Sequence, residues 1–194
     1  MSEHEVVIVA ARRTPIGAFQ GVLSAATAPQ LGAAALRGAL ESAGVAAEQV
    51  QEVIMGCVLS GGLGQAPARK AALGAGVPKN VPTTTINKMC GSAMKAIMLA
   101  ADQIRAGDVE TVLAGGLESM SNAPYLLPKA RSGYRMGHGE IFDHMFYDGL
   151  QSPFDGKAMG CFADVTSARY GFTREQQDAF ATESVVRAMR ALES

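Results

Sequence analysis

Four short apolar runs, each followed by residues of a different periodicity, constrain the fold of this chain more than any other feature. Glu5 to Ala10 contains the unbroken run VVIVA, and Val50–Cys57, Val81–Ile86 and Val109–Ala114 are further strand-length stretches, several rich in β-branched residues. An apolar run without alternation is expected for a strand covered on both faces of a sheet. Between the runs the pattern changes to helical spacing, with strands recurring at intervals of roughly thirty residues, which argues for a mainly parallel sheet covered by helices. The predicted class is therefore α/β.

The helix boundaries are marked locally. Thr27 and Pro29 open a helix that Gly44 closes, Pro67 opens a second that stops at Gly74 and Gly76, and a third stops at Gly107. In that third helix Met94, Ile97, Met98, Ala101 and Ile104 recur at the three-and-four spacing of a helix. From about Pro124 the periodicity fades into turn-rich, basic segments, Tyr125–Lys129 and Arg131–Gly139. Two further helices are expected, about Met159 to Tyr170 and from Thr173 onward, where Thr173 and Gln176 have capping-box spacing. The organisation read here is a first domain over 1–121 and a loop-like domain over 122–194. Val186, Met189 and Leu192 continue an apolar stripe up to Ser194 without a stop signal, and the chain is expected to be cut off there.

Ligands of parallel α/β sheets tend to bind beyond the carboxyl ends of the strands. The loops after Ile86 and after Ala114 share that edge, so Cys90 and the segment GGLESMSNAPY are expected near one another. Cys90 follows a strand and opens a helix, where unpaired N–H groups and the macrodipole favour a thiolate and can meet a developing oxyanion. It is the candidate nucleophile. A helix end supplies only about 0.3–1 kcal/mol, whereas one pKa unit is about 1.4 kcal/mol, so an efficient nucleophile here calls for an adjacent base. The available histidines, His4, His138 and His144, lie in no stretch expected to stand beside Cys90. The competing reading is a buried structural cysteine at a strand-to-helix turn.

Other features carry weaker chemistry. Cys57 and Cys161 have no base in sequence reach and read as structural; the three scattered cysteines form neither a disulfide framework nor a metal cluster, as expected in a reducing cytoplasm. His138, Glu140, Asp143 and His144 lack the spacing of a metal-binding helix, and no metal is expected. Gly61-Gly-Leu-Gly64 before a helix resembles a dinucleotide loop but lacks the third glycine of that fingerprint. Lys129, Arg131, Arg135 and Lys157 read as surface charge, with phosphate contact as the alternative. A formal charge of −1 gives no reason to expect nucleic acid or a membrane surface as partner. The amino terminus carries no signal-peptide pattern, and no run reaches membrane-spanning length.

NKMCGSAMKA around Cys90, GGLESMSNAPY after the following strand and VVIVAARRTPIGAFQG at the start together resemble the thiolases, and among them the acetyl-CoA acetyltransferases. LLPKARSGYRMGHGEIFDHMFYDGL and YGFTREQQDAFATES extend the resemblance over the whole chain. It implies a five-layered αβαβα fold of two similar halves, of which this chain would be one βαβαβ half plus part of an inserted loop domain. It also implies that Cys90 takes an acyl group from a coenzyme A thioester, and that a second acyl-CoA attacks as an enolate. Two acetyl-CoA would give acetoacetyl-CoA and CoA, reversibly, with no resident cofactor. The activating histidine and a second, proton-moving cysteine of the family lie in its carboxyl-terminal half, so the isolated chain is expected to turn over little. Leu150, in Asp148-Gly-Leu150, and Met159 align with residues that line the CoA and pantetheine site, with Ala158 where the family has histidine. A cytoplasmic homodimer or homotetramer is implied for the full-length protein. The alternatives are a 3-ketoacyl-CoA thiolase of fatty-acid degradation, a non-catalytic thiolase-like association partner, and a dinucleotide-binding module.

Overall fold

The computed structural model describes residues 5–193; His4 and the terminal Ser194 lie outside them. The described chain falls into two compact units that divide between Gly149 and Leu150.

The first unit is built on a parallel sheet of β1 (Glu52–Gly56), β2 (Thr83–Ile86) and β3 (Val112–Gly116) in the order β2-β1-β3. β1 is central. Val53 pairs with Thr83 on one side and Leu113 on the other, and Gly56 with Ile86 and Gly116, so the three strands end level. Every residue of β1 is buried. Val53 and Met55 join a core with Leu36 and Leu40 of α1 (Ala28–Ala43) and with Ala68, Ala71 and Ala72 of α2 (Pro67–Gly74). The alternate residues, Ile54 and Gly56, turn to the opposite face, under α3 (Ser92–Ala106).

The helix signals act as the sequence predicts. Thr27 Oγ1 accepts from Gln30 N–H at 3.4 Å while the Gln30 side chain accepts from Thr27 N–H at 2.9 Å. Gly44, at φ 63°, and Gly107, at φ 80°, close α1 and α3 in the left-handed conformation that glycine adopts freely. Removing the first cap tests its contribution: Thr27→Ala is expected to lower stability by about 1 kcal/mol, read from the urea midpoint.

One expectation is corrected. The run Val6–Ala10 is not a strand of the sheet: Val7, Ile8 and Val9 are 64%, 76% and 70% exposed, and no strand pairing forms there. The run instead lines, with β3, α1 and α3, an apolar cavity of about 530 Å³. Hydrophobicity reports that a run can be buried, but pairing also needs a partner edge within hydrogen-bonding distance. α3 packs through its small residues. Its buried residues are Ser92, Ala96 and Ala100, while Met94, Ile97 and Met98 are exposed. Small residues four apart let the helix lie close on β1 and β3, and that close approach turns the larger side chains outward.

After β3 the chain forms a two-stranded antiparallel ribbon, β4 (Tyr125–Leu126) with β5 (Phe142–Asp143), around an exposed loop. Phe142 packs on Tyr147 with ring centroids 4.8 Å apart. The second unit contains α4 (Met159–Tyr170) and α5 (Arg174–Glu193), both at the positions the sequence predicts. Thr173 and Gln176 exchange the capping-box hydrogen bonds at 2.9 and 3.3 Å. Neither helix buries a residue: Phe180 and Leu192 are 80% and 83% exposed. Among the described residues no helix is long and apolar enough to cross a membrane.

Candidate active site

Cys90 stands between β2 and α3, two residues before the first helical residue, and its side chain is exposed. Its Sγ has no hydrogen-bonding partner among the described residues. The turn that carries it is fixed by hydrogen bonds. Asn87 Oδ1 accepts from Met89 N–H at 2.9 Å, Ser92 Oγ accepts from Lys88 N–H at 2.8 Å, and Ser92 O–H donates to Met89 O at 2.6 Å. Met89, immediately before the cysteine, has φ 49°. A bulky residue in that region costs about 1–3 kcal/mol and persists only where its surroundings enforce it.

The helix start differs from the expectation of free N–H groups at Cys90. Gly91 N–H and Ser92 N–H turn back to Lys88 O and Met89 O at 3.2 and 2.9 Å. The N–H groups of Ala93 and Met94 are given no acceptor by the described residues and remain as the donors of this helix end.

Glycines at the ends of β1 and β3 bring this turn against the sheet. A Cβ on Gly56 would lie 2.5 Å from Ser92 Cβ and 2.8 Å from Ala93 N; one on Gly116 would lie 3.0 Å from Ala93 Cβ. The helix start that follows Cys90 therefore lies against Gly116, within the GGLESMSNAPY segment, as the shared sheet edge predicts. The second loop is itself clamped. Asn122 Nδ2–H donates to Ser24 O and Ala26 O at 2.9 and 3.0 Å, and Gln20 N–H donates to Ser121 Oγ at 2.9 Å.

Glu118, one residue past Leu117 in the same loop, was not singled out by sequence reasoning. Its carboxylate accepts from Val58 N–H at 2.8 Å and Leu59 N–H at 3.0 Å, fixing the chain as it leaves β1. The available signal was a lone carboxylate at the end of an apolar strand. Cys57, 2% exposed, lies 3.7 Å from Glu118 Oε1. Burial first, and then the adjacent carboxylate, push its thiol from 9.0 up to about 12. It remains a neutral thiol at physiological pH, in keeping with a structural role. In the unfolded chain the thiol ionises near 9.0, so its contribution to stability is complete below that pH and is lost between 9.0 and about 12. Cys57→Ala is expected to flatten this alkaline limb of a stability-against-pH profile. In the same protein at pH 7, iodoacetamide should modify the exposed Cys90 and Cys161 and leave Cys57 untouched.

The remaining candidates separate. His144 is 7% exposed; its Nε2 accepts from Gly61 N–H at 3.2 Å, and its Nδ1 lies 2.6 Å from Asp148 Oδ2. Its ring ties two loops together. Among the described residues no group of three or more ligating side chains is placed to hold a metal ion. Ala68 N–H, at the start of α2, donates to Thr85 Oγ1 at 3.1 Å, and Lys70 Nζ donates to Leu63 O at 2.7 Å. The first N–H of α2 is thus already taken by Thr85 rather than left to a phosphate.

In the second unit, Leu150 is half-buried and Met159 is the exposed first residue of α4. Cys161 is exposed on the first turn of α4. Lys157 pairs with Asp155 at 3.1 Å, and the Ser152 hydroxyl, then Lys157, hold the Asp155 carboxyl below the ordinary carboxylate range.

The exposed Cys90 thus stands at the carboxyl edge of a parallel α/β sheet, where ligands of such sheets tend to bind. Residues 6–194 match the family profile "Thiolase, N-terminal domain", and the chain belongs to the thiolase family. It is 53% identical to an acetyl-CoA acetyltransferase of Pseudomonas aeruginosa over 189 residues, 97% of this chain and 48% of that protein. It is also 53% identical to one of Cupriavidus necator, over 96% of this chain and 48% of the relative. It is 47% identical to acetyl-CoA acetyltransferase 2 of Arabidopsis thaliana, over 100% of this chain and 48% of the relative. The chain spans about half the length of the curated relatives it matches.

Proposed function

We propose that this chain carries the acyl-accepting cysteine of an acetyl-CoA C-acetyltransferase. The observation that carries the reading is the exposed Cys90 sulfur on a hydrogen-bonded, left-handed turn at the start of α3. Membership of the thiolase family and the printed names of its relatives support the acyl-CoA substrate.

In this reading the Cys90 thiolate adds to the thioester carbonyl of acetyl-CoA. Collapse of the tetrahedral adduct breaks the bond to the CoA sulfur and leaves an acetyl group on Sγ. The enolate of a second acetyl-CoA then attacks that acyl carbon, giving acetoacetyl-CoA and the free thiol, and the sequence is reversible. Leu150 and Met159 contribute to the CoA and pantetheine site of the whole protein. The catalytic half spans 1–121, and 122–194 forms part of the inserted domain. The working protein is a cytoplasmic homodimer or homotetramer without a resident cofactor. With no imidazole hydrogen-bonded to Cys90 among the described residues, the 194-residue polypeptide by itself accepts acyl groups but turns over little.

Release of CoA tests the reading. Mixing the chain with acetyl-CoA should free CoA in proportion to protein and then stop. No release above the uncatalysed rate contradicts it. Stabilisation by NAD where CoA has no effect favours the dinucleotide module instead.

A further inference from the structure

Resting on the reading of Cys90 as acyl acceptor, the geometry points to Ser92 as the positioning residue of that sulfur. Its hydroxyl holds Met89 in the left-handed conformation and so fixes where the Cys90 side chain stands. Ser92 is 5% exposed, and its Oγ is used twice: it accepts from Lys88 N–H at 2.8 Å and donates to Met89 O at 2.6 Å. The bracket spans the cysteine, joining the residue two after it to the residues one and two before it. Met89 O also accepts from Ser92 N–H at 2.9 Å, so the Met89 peptide is held twice by one residue.

Ser92 can act as an anchor because it is itself fixed from below. A Cβ on Gly56 would come within 2.7 Å of the Ser92 carbonyl carbon, so the first turn of α3 rests directly on the end of β1. Met89 is 46% exposed and is not among the buried core residues. Its φ of 49° is maintained by hydrogen bonds, from Asn87 on one side and Ser92 on the other. Without the Ser92 hydroxyl a methionine relaxes toward negative φ, and the rotation carries the neighbouring Cys90 sulfur away from its position.

The test uses the full chain with Ser92→Ala, Met89→Gly and the double variant. Two quantities are read: the rate of Cys90 acetylation by acetyl-CoA, and amide hydrogen exchange at Gly91 and Ser92. Ser92→Ala should slow acetylation roughly ten- to a hundredfold, as displacement of a reacting atom does. Exchange at both amides should accelerate, because the turn opens more often. Glycine adopts positive φ without penalty, so adding Met89→Gly should bring acetylation back to within about threefold of the wild type. A merely structural loss would not be cured by deleting a second side chain. Wild-type acetylation in Ser92→Ala, or a double variant no faster than Ser92→Ala, overturns the positioning role. A wild-type chain that takes up no acetyl group at all overturns the nucleophile reading, and the positioning role with it. Acetylated wild type beside an equally fast Ser92→Ala overturns the positioning role alone.

Discussion

Replacing Cys90 by alanine is expected to abolish acyl transfer from acetyl-CoA while leaving the fold unchanged. The sulfur is exposed and makes no hydrogen bond to the described residues, so its removal leaves no cavity and orphans no buried group. The change in stability should stay within about 0.5 kcal/mol, as for other surface substitutions. Transfer, by contrast, should fall by roughly a thousandfold or more, because deleting a covalent nucleophile removes the step rather than weakening it. Cys90→Ser sharpens the experiment. It keeps the size of the side chain but replaces a thiol by a hydroxyl, which is almost wholly protonated at neutral pH, and should recover little of the loss. If both variants bind CoA thioesters as the wild type does, the defect lies in chemistry rather than binding.

The largest structural effect is expected at Gly56. An added Cβ would meet Ser92 Cβ at 2.5 Å, the Ser92 carbonyl carbon at 2.7 Å and Ala93 N at 2.8 Å. Two of these are backbone atoms in the first turn of α3, and no rotamer change relieves them. Either β1 or α3 must shift, and β1 is hydrogen-bonded on both edges. Gly56→Ala should therefore cost at least about 3 kcal/mol, the upper part of the overpacking range. That is a large fraction of the roughly 5–15 kcal/mol that keeps a domain folded. Gly44→Ala provides the contrast. Gly44 has φ 63° but nothing within 4 Å of an added Cβ, so only backbone strain of about 1–2 kcal/mol applies. Urea denaturation should rank the two variants in that order. Surviving folded Gly56→Ala should also acetylate Cys90 more slowly, since the displaced helix start carries the turn with it.

What was legible in the sequence was local. Thr27 with Gln30, Thr173 with Gln176, and the glycines after α1 and α3 act on residues within one turn, so their side-chain chemistry alone locates the helix ends. The strand-to-helix junction at Cys90 and its proximity to the loop after β3 followed from the alternation of elements. Features set by distant partners were not legible in the same way. Val6–Ala10 has the composition of a covered strand, yet whether it pairs depends on the edge of β3, more than a hundred residues away. The periodicity of α3 located the helix but does not say which of its residues lie against the sheet. Larger apolar residues signal burial more strongly than the small Ser92, Ala96 and Ala100, which in fact make the close contact. Within the site, Cys90 could be read from its setting, but the left-handed Met89 and the double use of Ser92 Oγ could not, because neither residue type implies that geometry. Glu118 was missed for a related reason: its partners are backbone N–H groups of Val58 and Leu59, which leave no trace in composition.

The chain contains three thiols in distinct settings, one buried beside a carboxylate and two exposed, and the functional reading depends on telling them apart. Peptide mapping by mass spectrometry after incubation with acetyl-CoA does so directly. A single acetyl group on the peptide containing Cys90, lost on treatment with free CoA, is the predicted result. Acetyl groups on Cys161 or on lysines, with Cys90 unmodified, would contradict it.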